Sequence, residues 1–188
     1  MSDHRGIILY GPPAAGKDTV TAALTRLGGY AQFTRLKVGS GKTDGYRMAG
    51  AEQLRELEAA DDVIYRNERY GNVYVIDRPG LQDAFTAGVP VVHLGQVAGV
   101  QDLLAGYPAG WLTVLLWCPK SVTEARSYGR GDADTAKRLT VWDETRNDLV
   151  ANSDFRFDLV VHTDTVGPDE TARLIDQALA ARAESPTA

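Results

Sequence analysis

The chain has 188 residues, 44% of them hydrophobic and 24% charged, with a net charge of −5. That length suits one α/β domain with a substantial core, and the acidic balance argues against a general nucleic-acid or membrane-surface binder. The single cysteine, Cys118, excludes an internal disulfide framework and a multi-cysteine metal site, and makes a reducing, cytoplasmic setting the expectation.

The first residues, MSDHRGIILY, lack the apolar stretch and small-residue cleavage site of a secretory leader, and no apolar run approaches membrane-spanning length. GIILY (6–10) predicts a buried strand, GPPAAGKDT (Gly11–Thr19) a turn, and Lys17–Leu27 a helix. Thr34–Tyr74 is polar and turn-rich with one short helical pattern near Ala51–Ala59, predicting an inserted lobe of short antiparallel strands. Helical patterns then cover Arg78–Ala87, Val97–Ala105, Ser121–Tyr128, Asp134–Val150 and Pro168–Ala183. Strands are predicted between them at PVVHLG (90–95), WLTVLLWC (111–118) and FDLVVHT (157–163). Apolar strands alternating with helices predict an α/β fold, a parallel sheet covered by helices on both faces. The expected organisation is a core of residues 1–33 and 75–188, a lobe at 34–74, and a frayed tail, AESPTA.

GPPAAGKDT matches the phosphate-binding (P-loop) pattern G-x-x-x-x-G-K-[ST] except at its last position, where Asp18 replaces the hydroxyl and Thr19 follows. Gly11 and Gly16 allow backbone N–H groups to converge on phosphate oxygens, with Pro12, Pro13, Ala14 and Ala15 forming the crown between them. The helix opening at Lys17 adds its positive end, and the lysine itself can bridge terminal phosphates. Asp18 has two readings: a hard oxygen ligand for Mg²⁺, or an acid stabilising the helix N-terminus.

A second constellation is EARSYGRGDADTAKRL (Glu124–Leu139), where Arg126, Arg130, Lys137 and Arg138 gather in an otherwise acidic chain. Gly129 and Gly131 flank Arg130, so the stretch at about 126–138 reads as a short lid able to bring arginines to a migrating phosphoryl group. A solvated surface helix is the bland alternative.

Taken in order, these features resemble the guanylate kinase family of nucleoside monophosphate kinases. The likeness runs from GPPAAGKDT through Thr34–Arg35, Asp44–Tyr46 (DGY), YGNVY (Tyr70–Tyr74) and Ala87–Val100 to RSYGRG (Arg126–Gly131), KRL (Lys137–Leu139) and FDLVVHTD (157–164). The resemblance implies a P-loop kinase fold that binds ATP–Mg²⁺ at the loop and a phosphorylated acceptor in the inserted lobe. It implies that Lys17 stabilises the transferring group, that Arg35, Tyr46 and Tyr74 hold the acceptor phosphate, and that Arg126, Arg130 and Arg138 close over the donor. Gln96, in the strand-to-helix turn near the acceptor, is counted with the substrate-binding residues.

The departures matter as much. The family's TTRPPRPGE segment is FTRLKVGSGK here, so the second arginine falls at Val38, with Lys37 and Lys42 nearby, and the guanine-reading glutamate at about Gly41. The family's acidic DIDxQG strand end is HLGQVAG, with His93 read as a core or edge histidine. Thr163 stands where an asparagine usually meets the donor base. Ribose 1,5-bisphosphokinases, a close relative, also carry GKD at the loop and lack the acidic strand end. The expected activity is therefore ATP-dependent phosphoryl transfer to a nucleoside monophosphate, with a sugar phosphate or a non-catalytic binding module as alternatives.

Overall fold

The computed structural model describes residues 4–184 apart from 42, 70 and 132; Lys42, Tyr70, Asp132 and the tail residues 185–188 lie outside the described residues. Five strands form the main sheet: β1 (Arg5–Tyr10), β2 (Tyr30–Gln32), β7 (Val89–Leu94), β8 (Gly110–Trp117) and β9 (Leu159–His162). Their order is β2-β7-β1-β8-β9 and every pairing is parallel.

Period-two alternation along β1 explains the layering. Ile7 and Leu9 face a cluster built with Val20 and Leu24 of α1 (Lys17–Leu27) and Ile175 and Leu179 of α7 (Pro168–Glu184). Ile8 and Tyr10 face the opposite cluster, with Leu81 and Phe85 of α3 (Arg78–Ala87) and Val100 and Leu103 of α4 (Val97–Gly106). Because all five strands run one way, the loops that follow β1, β7, β8 and β9 collect along one edge. In open α/β sheets that edge is where ligands bind.

A second sheet, ordered β4-β3-β6-β5, contains β3 (Leu36–Val38), β4 (Arg47–Ala49), β5 (Val63–Arg69) and β6 (Asn72–Asp77). Helix α2 (Ala51–Ala59) closes it, with Leu54 packed on Leu36 and Val75. Here the structure differs from the expected all-antiparallel lobe, since β3 and β4 pair in parallel. Three-residue strands need only a short return run, which glycines with left-handed backbone at 39, 41 and 45 supply. The sequence pattern also missed β2, a half-exposed edge strand of three residues, and β6 continues to Asp77.

Asp77 ties the second sheet to α3. It is buried, caps α3 by accepting from the Gly80 N–H at 2.8 Å, and pairs with Arg47, whose Nε donates to the Thr34 carbonyl at 2.9 Å. Helices α5 (Lys120–Gly129) and α6 (Thr135–Ala151) complete the fold. No described helix is long and apolar enough to cross a membrane.

Candidate active site

The loop after β1 is shaped by steric necessity. A Cβ at Gly11 would lie 2.2 Å from the Leu116 carbonyl oxygen, so only glycine lets the chain leave the sheet there. Gly16, at φ 91°, is the left-handed residue that starts α1. The first N–H groups of that helix, on Lys17, Asp18 and Thr19, have no intrahelical acceptors and point out of its end. Lys17 Nζ donates to the carbonyls of Gly11 (2.6 Å) and Pro12 (2.9 Å), which holds the ammonium over the loop crown. Burial lowers its pKa to about 8, against the opposing pull of Asp18.

Facing this loop across a cavity of about 630 Å³ is a cationic and aromatic cluster from the second sheet. The Tyr46 and Tyr74 rings lie 5.3 Å apart, the Arg35 guanidinium sits 5.7 Å from Tyr74, and buried Lys37 lies 5.4 Å from Tyr46. Lys37 also donates to the Ser40 carbonyl at 2.7 Å. Arg35 is half-buried, and burial lowers its pKa. Among the described residues no carboxylate or carbonyl pairs with its guanidinium. The fold thus brings Lys17, Arg35, Tyr46, Tyr74 and Gln96 around one cavity.

Asp18 lies outside this cavity's lining and its side chain is 91% exposed. It forms no capping hydrogen bond; its carboxylate faces His93 Nδ1 at 3.5 Å, while His93 Nε2 shares a 2.7 Å hydrogen bond with buried Thr21. Burial, reinforced by Lys17, lowers the His93 pKa to about 4, so the imidazole is neutral near pH 7. The tautomer consistent with both neighbours carries its proton on Nδ1 toward Asp18 and accepts from the Thr21 hydroxyl. Among the described residues, no three acidic, histidine or cysteine side chains group as a metal site.

The lid stretch is the end of α5, a short connection turning at left-handed Gly131, and the first turn of α6. Arg126 is drawn to the phosphate loop, donating to the carbonyls of Ala14 (2.9 Å) and Thr163 (2.5 Å). Thr123 donates to the Pro13 carbonyl at 3.0 Å, so α5 fastens the loop from outside. Arg126 and Arg130 line a second cavity of about 290 Å³ with Gly16, Thr19 and Thr163. Arg138 lines neither cavity; it pairs with Asp134 one turn earlier, at 2.9 Å.

Several residues at the site were not visible beforehand. Asp148 of α6 accepts from the Tyr10 hydroxyl (2.7 Å) and the Val97 N–H (2.8 Å) and reaches the cavity wall. Tyr65 and Asn67 of β5 both bond Gln96, and Arg69 pairs with Glu144 of α6 at 2.7 Å, bridging the second sheet to the core at the cavity edge. Gly41, at the position of the family's base-reading glutamate, is exposed and does not line the cavity.

No family model and no curated protein matches the sequence. Solved structures do match. Guanylate kinase from Anaplasma phagocytophilum aligns with a TM-score of 0.62 over 97% of this chain and 87% of its own, at 19% identity. The chain has the guanylate kinase fold. The YorR protein of Bacillus subtilis, solved in complex with phosphorylated GDP, aligns over 96% of this chain and 99% of its own, with a TM-score of 0.51 and 17% identity. At such identities the likeness is one of architecture. Within the guanylate kinase fold of this chain, the chemistry has to be argued from its own side chains.

Proposed function

We propose that this protein is an ATP- and Mg²⁺-dependent phosphotransferase that passes the γ-phosphoryl group of ATP to the phosphate of a nucleoside monophosphate. What carries the reading is Arg35, a half-buried guanidinium without an acidic partner among the described residues, facing the same cavity as Lys17. A cation held that way is a standing cost unless an anion arrives to pair with it. The acceptor phosphate would bind between Arg35, Tyr46 and Tyr74, and the donor polyphosphate would take the loop N–H groups of residues 14–19. Lys17 would then turn from the Gly11 and Pro12 carbonyls to the bridging phosphates. In-line transfer asks only for this positioning and charge neutralisation, with no covalent intermediate.

The donor base would enter the smaller cavity beside Thr163, with Arg126 and Arg130 at its rim. Mg²⁺ held mainly by substrate phosphates takes one or two protein oxygens, and the exposed Asp18 carboxylate beside the loop fits that need. When bound, the ion would neutralise charge between the donor phosphates. Arg138 would contribute only after leaving Asp134.

A phosphorylated sugar is the second reading. It is favoured because the cavity beyond the Arg35 cluster is lined by hydrogen-bonding side chains such as Asn67, Gln96 and Thr145. The test is coupled ADP release with ATP–Mg²⁺ across GMP, dGMP, CMP, UMP, AMP and ribose 1,5-bisphosphate, with Lys17→Met as the blank. Turnover of a nucleotide supports the first reading and turnover of the sugar alone supports the second. Acceptor binding without ADP formation throughout the panel would overturn both in favour of a binding module.

A further inference from the structure

Three uncharged side chains, Tyr65, Asn67 and Gln96, stand together at the cavity wall. Tyr65 donates its hydroxyl to Gln96 Oε1 at 2.7 Å, and Asn67 Nδ2 donates to the same oxygen at 2.6 Å and to the Tyr65 oxygen at 3.2 Å. The Tyr65 ring is itself held, packed so closely on α4 that a Cβ at Gly99 would lie 2.7 Å from it. Gln96 occupies the N-cap position of α4, yet its side chain makes no capping bond. The first N–H of that helix, on Val97, is satisfied by Asp148 instead, at 2.8 Å. Two residues therefore hold an amide that does nothing for its own helix.

The remaining hydrogen-bonding capacity points one way. Gln96 Oε1 takes two donors, and the amide turned over alone would set Nε2 against Asn67 Nδ2. Its Nε2 hydrogens and the Asn67 Oδ1 have no partner among the described residues, no buried side-chain polar atom is left unsatisfied, and both residues line the cavity. The wall thus presents a donor beside an acceptor, both neutral, with the Glu68 and Asp148 carboxylates nearby.

Resting on the acceptor reading of this cavity, we propose that Gln96 determines acceptor specificity, with Tyr65 and Asn67 as its positioning residues. The pair selects a neutral group that both accepts and donates a hydrogen bond: a sugar hydroxyl or a carbonyl–imino base edge. An anionic group at that place meets the Glu68 and Asp148 carboxylates, while Arg69, a cation of the same strand, is engaged by Glu144, and such a group is disfavoured.

The experiment is calorimetric titration of the wild type, Gln96→Met and Tyr65→Phe with inorganic phosphate, ribose 5-phosphate, GMP, UMP and AMP. Neither substitution changes charge. In the wild type at least one organic phosphate binds about tenfold or more tighter than inorganic phosphate. Gln96→Met removes about tenfold of that preference and Tyr65→Phe about threefold, while inorganic phosphate stays within about twofold. Loss on ribose 5-phosphate as well as the nucleotides assigns the contact to a hydroxyl; loss on nucleotides alone assigns it to the base. Unchanged preferences in Gln96→Met, an equal loss for inorganic phosphate, or no organic phosphate preferred by the wild type would each overturn the proposal. Absence of ADP formation beside the expected binding pattern would refute phosphoryl transfer and leave this assignment standing.

Discussion

Replacing Arg35 by methionine should weaken anion binding and, at the same time, strengthen the fold. The guanidinium is half-buried, has no acidic partner among the described residues, and rests 5.7 Å from the Tyr74 ring. Methionine keeps the aliphatic bulk, removes the desolvated charge, and gives up a cation–π contact of about 0.5–1 kcal/mol. Removing an unpaired, partly buried charge gains about 1–3 kcal/mol, so the net is about 1 kcal/mol of stabilisation, or ~2–4 °C in Tm for a domain of this size. Binding moves the other way. Two charge-assisted hydrogen bonds to a phosphate are worth about 3–4 kcal/mol together, so affinity for inorganic phosphate or an acceptor should fall by about two to three orders of magnitude. Differential scanning calorimetry and titration calorimetry on one preparation test both signs. A variant that melts lower and binds phosphate as the wild type does would make Arg35 a structural residue and refute the reasoning.

Other expectations follow from single contacts. Burial holds Lys17 near a pKa of about 8, below its ordinary value of 10.5, so the folded state resists its charge and this penalty fades as pH rises through that window. A bound phosphate favours the charged form, so binding at about pH 8.5 should take up more than half a proton, and affinity should fall as pH rises above 8. Titrations in two buffers of different ionisation enthalpy measure the uptake, and the same uptake in Lys17→Met would place it elsewhere. Gly11→Ala sets a Cβ 2.2 Å from the Leu116 carbonyl and should cost more than about 3 kcal/mol in urea unfolding. Asp77→Ala strips a cap from α3 and the partner from Arg47, a loss of about 2–4 kcal/mol by the same measurement. Asp18→Ala should cost less than about 1 kcal/mol of stability, since the side chain is 91% exposed and forms no capping bond at the positive end of α1, while raising the Mg²⁺ needed for half-maximal turnover; an unmoved Mg²⁺ requirement would remove Asp18 from the metal.

How much of this could be read from the residues depended on how local the cause was. The buried strands announce themselves through continuous apolar runs, and the P-loop spacing identifies its own turn, because both are short-range patterns. Arg35, Tyr46 and Tyr74 could be named from order along the chain, yet only the pairing of β3 with β6 and the 39–46 return brings them within 6 Å. Tyr65 and Asn67 lie two apart on a strand of mixed polarity, and nothing in VIYRNER says which face meets α4. Asp148 caps a helix that begins 51 residues earlier in the chain, beyond the reach of any capping pattern. The pairing of Arg138 with Asp134 does have a local sign, an acid four residues before the cation in a helical stretch.

The central position of β1 bears on when ligand recognition becomes possible during biosynthesis. The first strand made is flanked on both sides by strands made much later, Val89–Leu94 and Gly110–Trp117. Until both have left the ribosome, β1 has no partners, and the glycine turn behind it has no Leu116 carbonyl to pack against. Pairings that distant in sequence form late and slowly. A nascent chain with the whole GPPAAGKDT segment exposed is therefore unable to cradle a phosphate. A ligand of that loop would act on finished molecules alone, drawing the folding equilibrium toward the native state without templating its assembly.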